Sequence, residues 1–126
     1  IVVQVWGRPE RCDLEAMKAV ARPHLPPPPP DAPPAPKLFE PGVLEELATA
    51  ADLTPVRAFD TSWAYEYPDE ASLARAMLAP AGIAALVGPS REEAVGKEII
   101  AALAPYRSPE GSYRLENEWH YLIASA

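Results

Sequence analysis

The sequence predicts an α/β fold in which three strand-like segments, separated by amphipathic helical patterns, form a three-stranded mixed sheet. Three observations carry this reading. Residues 1–6 are an apolar, valine-rich run of the kind found in parallel strands covered on both faces. Residues 56–67 and 113–124 alternate along their length and are rich in aromatic and β-branched side chains. Between these segments apolar residues recur at helical spacing until a proline interrupts them.

The opening run Ile1-Val2-Val3-Gln4-Val5-Trp6-Gly7 starts as a strand already under way, with no methionine, turn or cap before it. The expectation is a piece of a longer protein, with a neighbouring strand upstream. Asp13 is the expected N-cap of a short helix that carries Leu14, Met17, Val20 and Ala21, and Pro23 stops it. Residues 23–37, with LPPPPPDAPPAP at 25–36, read as a stiff polyproline-like connector inside a single partial domain spanning residues 1–126. A PxxP docking site is the sharper reading, although any proline run contains that pattern by chance.

Pro41 and Gly42 introduce a second helix through Val43, Leu44, Leu47, Ala50 and Ala51, which Leu53-Thr54-Pro55 ends. In the second strand Arg57, Phe59, Thr61, Trp63, Tyr65 and Tyr67 share one face. Pro68-Asp69-Glu70 opens a third helix through Leu73, Met77 and Leu78, broken at Pro80, with a small apolar piece at 83–87 behind it. Ser90-Arg91-Glu92-Glu93 has the form of a capping box, and Val95, Ile99, Ile100 and Leu103 make the stripe of the helix that follows. Pro105 ends that helix and Pro109-Glu110-Gly111 turns the chain. In the last strand Tyr113, Leu115, Asn117, Trp119, Tyr121 and Ile123 share a face.

At 126 residues, 48% apolar and 23% charged, the chain has the size and composition to bury one modest core. A net charge of −7 without a basic cluster argues against nucleic acid or an anionic membrane as partner. No apolar run approaches the roughly 20 residues that span a bilayer, and no signal-peptide pattern opens the chain, so a cytoplasmic protein is expected. One cysteine, Cys12, excludes an internal disulfide and a multi-cysteine metal site. With His24 and His120 dispersed, no metal is expected either.

Phe-Asp-Thr-Ser-Trp-Ala-Tyr-Glu-Tyr-Pro-Asp at 59–69 and Arg-Ser-Pro-Glu-Gly-Ser-Tyr-Arg-Leu-Glu-Asn-Glu-Trp-His-Tyr-Leu-Ile-Ala at 107–124 stand in the order strand, helix, helix, strand, helices, long final strand. This pattern resembles the C-terminal half of a class I S-adenosylmethionine-dependent methyltransferase, of the small-molecule type related to ubiquinone and menaquinone biosynthesis enzymes. The resemblance covers essentially the whole chain, residues 1–8 standing for the fifth strand and its exit and residues 113–124 for the seventh. It implies the C-terminal part of a Rossmann-like fold with a helical cap, in which residues 1–6 and 56–67 are parallel strands flanking an antiparallel final strand. It also implies that the methyl donor, S-adenosylmethionine, is held by a glycine-rich loop after the first strand, an acidic residue ending the second and side chains near the fourth, all upstream of Ile1. No cofactor residue carries over to this chain, which is therefore expected neither to bind S-adenosylmethionine nor to catalyse methyl transfer alone. Gly42, Gly82, Gly88 and Gly111 are too scattered to form a cradle of their own.

On that arrangement the carboxyl edge of the sheet, where open α/β sheets bind ligands, gathers Trp6, Gly7, Arg8, Trp63, Tyr65, Tyr67, Tyr113 and Arg114. Apart from Gly7 these are the substrate-binding candidates, and the connections leaving the edge form a cap suited to an apolar or aromatic small-molecule acceptor. No catalytic residue is assigned. Plainer readings stand beside these. Trp63, Tyr65 and Tyr67 also read as sheet-covering residues, Trp119 and Tyr121 as packing, and His24 as a solvated loop histidine. His120 lies too far along its strand to serve as a base, and Cys12 has no base partner close in sequence. Asp60, Glu66, Glu116 and Glu118 alternate with apolar residues and read as solvent-facing. A free-standing, non-enzymatic ligand-binding or dimerisation domain is the alternative class. In either case nothing in residues 1–5 blunts a strand edge, so self-association as a dimer through that edge is expected.

Overall fold

A computed structural model describes residues 1–79 and 88–126, so the expected break at Pro80 and the apolar piece at 83–87 lie outside the described residues. The elements in chain order are β1 (Val2–Trp6), α1 (Glu15–Ala21), α2 (Val43–Ala50), β2 (Thr54–Tyr67), α3 (Glu70–Leu78), α4 (Pro89–Leu103) and β3 (Tyr113–Ser125). Short 3-10 turns occupy Pro9–Arg11, Arg22–His24 and Ala104–Tyr106. The fold is α/β, with its sheet in the order β1-β3-β2. Because the last strand lies between the other two, every hydrogen-bonded pair is antiparallel, and the sheet is antiparallel where a mixed one was expected. β1 and β2 run the same way but never pair.

The register of β1 on β3 places Val2 opposite Ile123, Val5 opposite His120 and Trp6 opposite Trp119. Ile1 extends the ladder, its amino group donating to the Ala124 carbonyl at 2.7 Å and its carbonyl accepting from the Ala124 N–H at 2.9 Å. On the other side of β3, Phe59 stacks on Tyr121 and Asp60 meets His120, while Glu66 further along β2 meets Arg114 nearer the start of β3. Partners that recede as the strand advances are the mark of an antiparallel pair.

The chain clusters into two compact units, Ile1–Cys12, Ala32–Trp63 and Glu116–Ala126 in the first, Asp13–Asp31 and Ala64–Leu115 in the second. Both β2 and β3 contribute residues to each. In the first unit Leu44 and Ala48, one turn apart on α2, pack with Leu122 and Ala124 of β3, flanked by Val3, Val5, Leu38 and Leu53. That stripe leaves Leu47, expected on the buried face, 49% exposed. In the second unit α4 packs against both α1 and α3, burying Leu73, Met77, Val95, Ile99 and Leu103. Each such side chain contributes about 1.5–3 kcal/mol when fully buried.

Helix starts follow local chemistry closely. Asp69 caps α3, its carboxylate accepting from the Ser72 N–H at 2.7 Å. At α4 the expected capping box does not form: the helix begins at Pro89, with Gly88 at the N-cap position and no side-chain cap, so Ser90 already lies inside it. Proline at the first helical position, pre-set in φ and lacking an N–H to satisfy, moved the start upstream of the serine. Asp13 likewise does not cap α1, whose N-cap is Leu14. Its carboxylate instead meets the Tyr106 hydroxyl, which burial first and Asp13 second push above the usual tyrosine pKa.

β3 departs most from expectation. Its buried positions are odd-numbered through Tyr113, Leu115 and Asn117, and even-numbered from Glu118 through His120, Leu122 and Ala124. The parity of burial along the strand thus changes between Asn117 and Glu118.

Candidate functional site

Three of the expected acceptor-binding residues meet in the second unit. A cavity of about 520 Å³ is lined by Glu66, Tyr67 and Pro68 from the end of β2, Tyr113 and Arg114 from the start of β3, and Ser108 and Ser112 from the turn before it. The turn is closed by the Gly111 N–H donating to the Ser108 carbonyl at 3.0 Å and the Ser108 N–H to the Ser112 carbonyl at 2.7 Å. Gly111 has φ +95°, which a side chain would strain. Arg114 forms an ion pair with Glu66, both exposed. Burial, and to a lesser degree neighbouring Tyr65, pushes the Tyr67 hydroxyl above its ordinary pKa, so it stays a protonated donor at neutral pH. Tyr113 is only 2% exposed, and its hydroxyl reaches Glu70 Oε2 at 3.5 Å. Tyr113 also lines a second cavity, of about 490 Å³, bounded by α3 and α4. Aromatic walls with a few hydroxyl donors and one cation suit a small ligand with an apolar body and a polar tip. Tyr65 belongs to the same unit and is half-buried on β2, outside the lining of either cavity.

Trp6, Arg8 and Trp63 belong to the first unit. Trp6 stacks on Trp119, with ring centroids 4.2 Å apart. Trp63 is 57% exposed on β2. Arg8, just past β1, grips Glu118: its Nε donates to Oε1 at 2.8 Å, its Nη2 to Oε2 at 2.9 Å and its backbone N–H to Oε1 at 3.1 Å. Arg11 Nε lies 3.6 Å from the same carboxylate, and Asp60 Oδ2 lies 3.5 Å from Arg8 Nη2. Glu118 was expected to face solvent and is 3% exposed. The even-numbered face of β3 is the buried one at that position, and the bidentate guanidinium compensates the burial. Hydrogen bonding from Arg8 holds the Glu118 carboxyl below the usual glutamate range against the opposing effect of burial, with Arg11 adding to it.

The same network reaches His120. Its Nδ1 lies 2.6 Å from Asp60 Oδ1, the ring nitrogen donating and the carboxylate accepting. Nε2 is buried without a hydrogen-bond partner among the described residues. A carboxylate-oriented imidazole is the arrangement of a general base, yet neither cavity described above is lined by His120. The register, not seen in the sequence, sets His120 opposite Val5, one position from the end of β1. Cys12 is buried, with its thiol directed to the Glu118 carbonyl at 3.6 Å, and His24 Nε2 lies 3.3 Å from Glu98 Oε2.

Gly7 directly follows a strand, but a Cβ there would come within 2.6 Å of Glu118 Cγ, and its N–H already donates to the Glu118 carbonyl at 2.8 Å. That glycine makes room for a neighbouring side chain and leaves no cradle for a ligand. Among the described residues no group of three histidine, cysteine or acidic side chains is placed to hold a metal ion, and no helix is long and apolar enough to cross a membrane. No protein-family model and no curated protein matches the chain.

Proposed function

We propose that the chain serves as the C-terminal, acceptor-holding part of a cytoplasmic S-adenosylmethionine-dependent methyltransferase acting on a small molecule, within a Rossmann-like fold whose cofactor-binding half is a separate stretch of the protein. The observation that carries the reading is the strand order: the final strand lies between the first and second and is antiparallel to both, which is the arrangement the resemblance implies. The cavity around Tyr67, Tyr113 and Arg114 supports an acceptor role, because it combines aromatic surface with hydrogen-bond donors. The unpaired edge of β1 is, on this reading, where the cofactor-binding half adds its strand.

The test is to express the complete reading frame that encodes this chain and incubate it with methyl-labelled S-adenosylmethionine and a panel of small phenols, carboxylates and amines. Label transfer to an acceptor is expected from that protein, and no S-adenosylmethionine binding in calorimetry from residues 1–126 alone. A complete protein that neither binds the donor nor transfers label overturns the reading. Micromolar binding of the donor by the chain alone overturns the proposed division of labour.

A further inference from the structure

The cavity bounded by α3 and α4 has a chemistry that specifies its ligand more narrowly. Its floor is apolar, built from Ala74 and Leu78 of α3 and Gly96 and Ile100 of α4. A Cβ at Gly96 would approach Leu78 Cδ1 to 3.2 Å, so a side chain there requires Leu78 to give way. Glycine inside a helix costs about 1 kcal/mol relative to alanine, and here it keeps two helices close while leaving the floor open. A volume of about 490 Å³ lies within the range of small-molecule sites.

The mouth carries both signs of charge, and what a ligand meets depends on which cation is free. Lys97 and Glu93 close on each other, Nζ to Oε1 at 2.6 Å, while the Glu70 carboxylate stands beside the buried Tyr113 hydroxyl, 3.5 Å away. The Arg107 guanidinium has no carboxylate partner among the described residues. It is nevertheless placed: the Arg107 N–H donates to the Ala104 carbonyl at 3.1 Å, its backbone bridges Tyr113, and a Cβ at Gly111 would sit 3.4 Å from Arg107 Nη2. One uncommitted, planar, permanently charged donor set at the mouth of an apolar cavity matches a carboxylate, which it can meet with two parallel hydrogen bonds. A neutral ligand would leave that group unused.

We propose that this cavity binds a small apolar carboxylate, its hydrocarbon body against Leu78 and Ile100 and its anion on Arg107. This site is separate from the acceptor cavity around Tyr67, Tyr113 and Arg114, and its binding does not depend on the methyltransferase reading. The test titrates the chain, without S-adenosylmethionine, with 2-naphthoate and its uncharged analogue 2-naphthamide, followed by amide proton–nitrogen correlation spectra. The naphthoate should shift amides of α3, α4 and Arg107 and bind at least tenfold tighter than the amide. Arg107→Gln should erase that preference while keeping naphthamide affinity, and Ala101→Trp, at the exposed rim, should block both probes, the spectra reporting that each variant is folded. No saturable binding, equal affinity for the two probes, a preference that survives Arg107→Gln, or shifts confined to other elements overturns the proposal. Naphthoate binding as described, together with a complete protein that methylates nothing, leaves this site standing and removes the methyltransferase reading instead.

Discussion

Replacing Glu118 by glutamine keeps the volume of the side chain and one acceptor oxygen, but turns the other arm of the fork into an amide donor facing a guanidinium that also donates. Hydrogen bonds of 2.8 and 2.9 Å from Arg8 side-chain nitrogens define that fork, and Glu118 itself is 3% exposed. Breaking a fully buried ion pair costs about 3–5 kcal/mol, whereas one hydrogen bond to a charged group contributes about 1.5–3 kcal/mol. The partner's side chain is 41% exposed and can rehydrate, which selects the smaller range. For Glu118→Gln the expected loss is therefore about 2 kcal/mol, and with a urea m-value of about 1–3 kcal/mol per molar the midpoint falls by roughly 1 M at unchanged m. Acid should erase this difference. Hydrogen bonding from Arg8 depresses the folded-state pKa of Glu118, so the unfolded chain takes up the proton first, near the ordinary value of about 4.3. The stabilisation is complete above that pH and is lost as the pH falls through the depressed value. Urea melts of both proteins across this window check the argument: equal midpoints at pH 7, or a gap that widens on acidification, would refute it.

Gly7→Ala should destabilise the chain, because the new Cβ would lie 2.6 Å from Glu118 Cγ and 2.9 Å from its backbone carbon, and the near-ultraviolet circular dichroism of the Trp6–Trp119 stack should change with it; an unaltered Tm and spectrum would rule this out. Light scattering from micromolar to millimolar concentration should show a dimer, since β1 has β3 on one side only and Ile1 and Val2 are 66% and 65% exposed. A mass of one chain throughout would remove that expectation.

The strands were legible because aromatic and β-branched residues alternate at 56–67 and 113–124, and because proline and glycine punctuate the pieces between them. α3 was legible down to its cap, Asp69. Where two local signals competed, the sequence could not say which would win: Pro89 set the start of α4 ahead of Ser90, and Tyr106 took the carboxylate of Asp13 from α1. Glu118 was missed for a different reason. Alternation identifies two faces but not which one is buried, and the parity of burial changes partway along β3, so an acidic residue read as solvent-facing is buried. Arg8 was singled out as a candidate for substrate; nothing local in the sequence connects it to a residue 110 positions away. Of the residues expected along one sheet edge, Tyr67, Tyr113 and Arg114 line a common cavity, each lying at a strand end beside a turn.

The burial pattern of β3 restricts how the chain can misalign. A slip of one residue against β1 would turn Leu122 and Ala124 away from Leu44 and Ala48 and set Tyr121 with Ile123, or Ile123 with Ser125, in their places, so packing against α2 opposes it. A slip of two preserves the pattern and would pass that filter. It would, however, set Glu116 or His120 where Glu118 now meets Arg8, and would carry away the close approach that Gly7 permits. The fork and the glycine together thus act as a register lock, penalising the one misalignment that hydrophobicity tolerates, and this is a use for a buried ion pair that does not depend on its adding net stability.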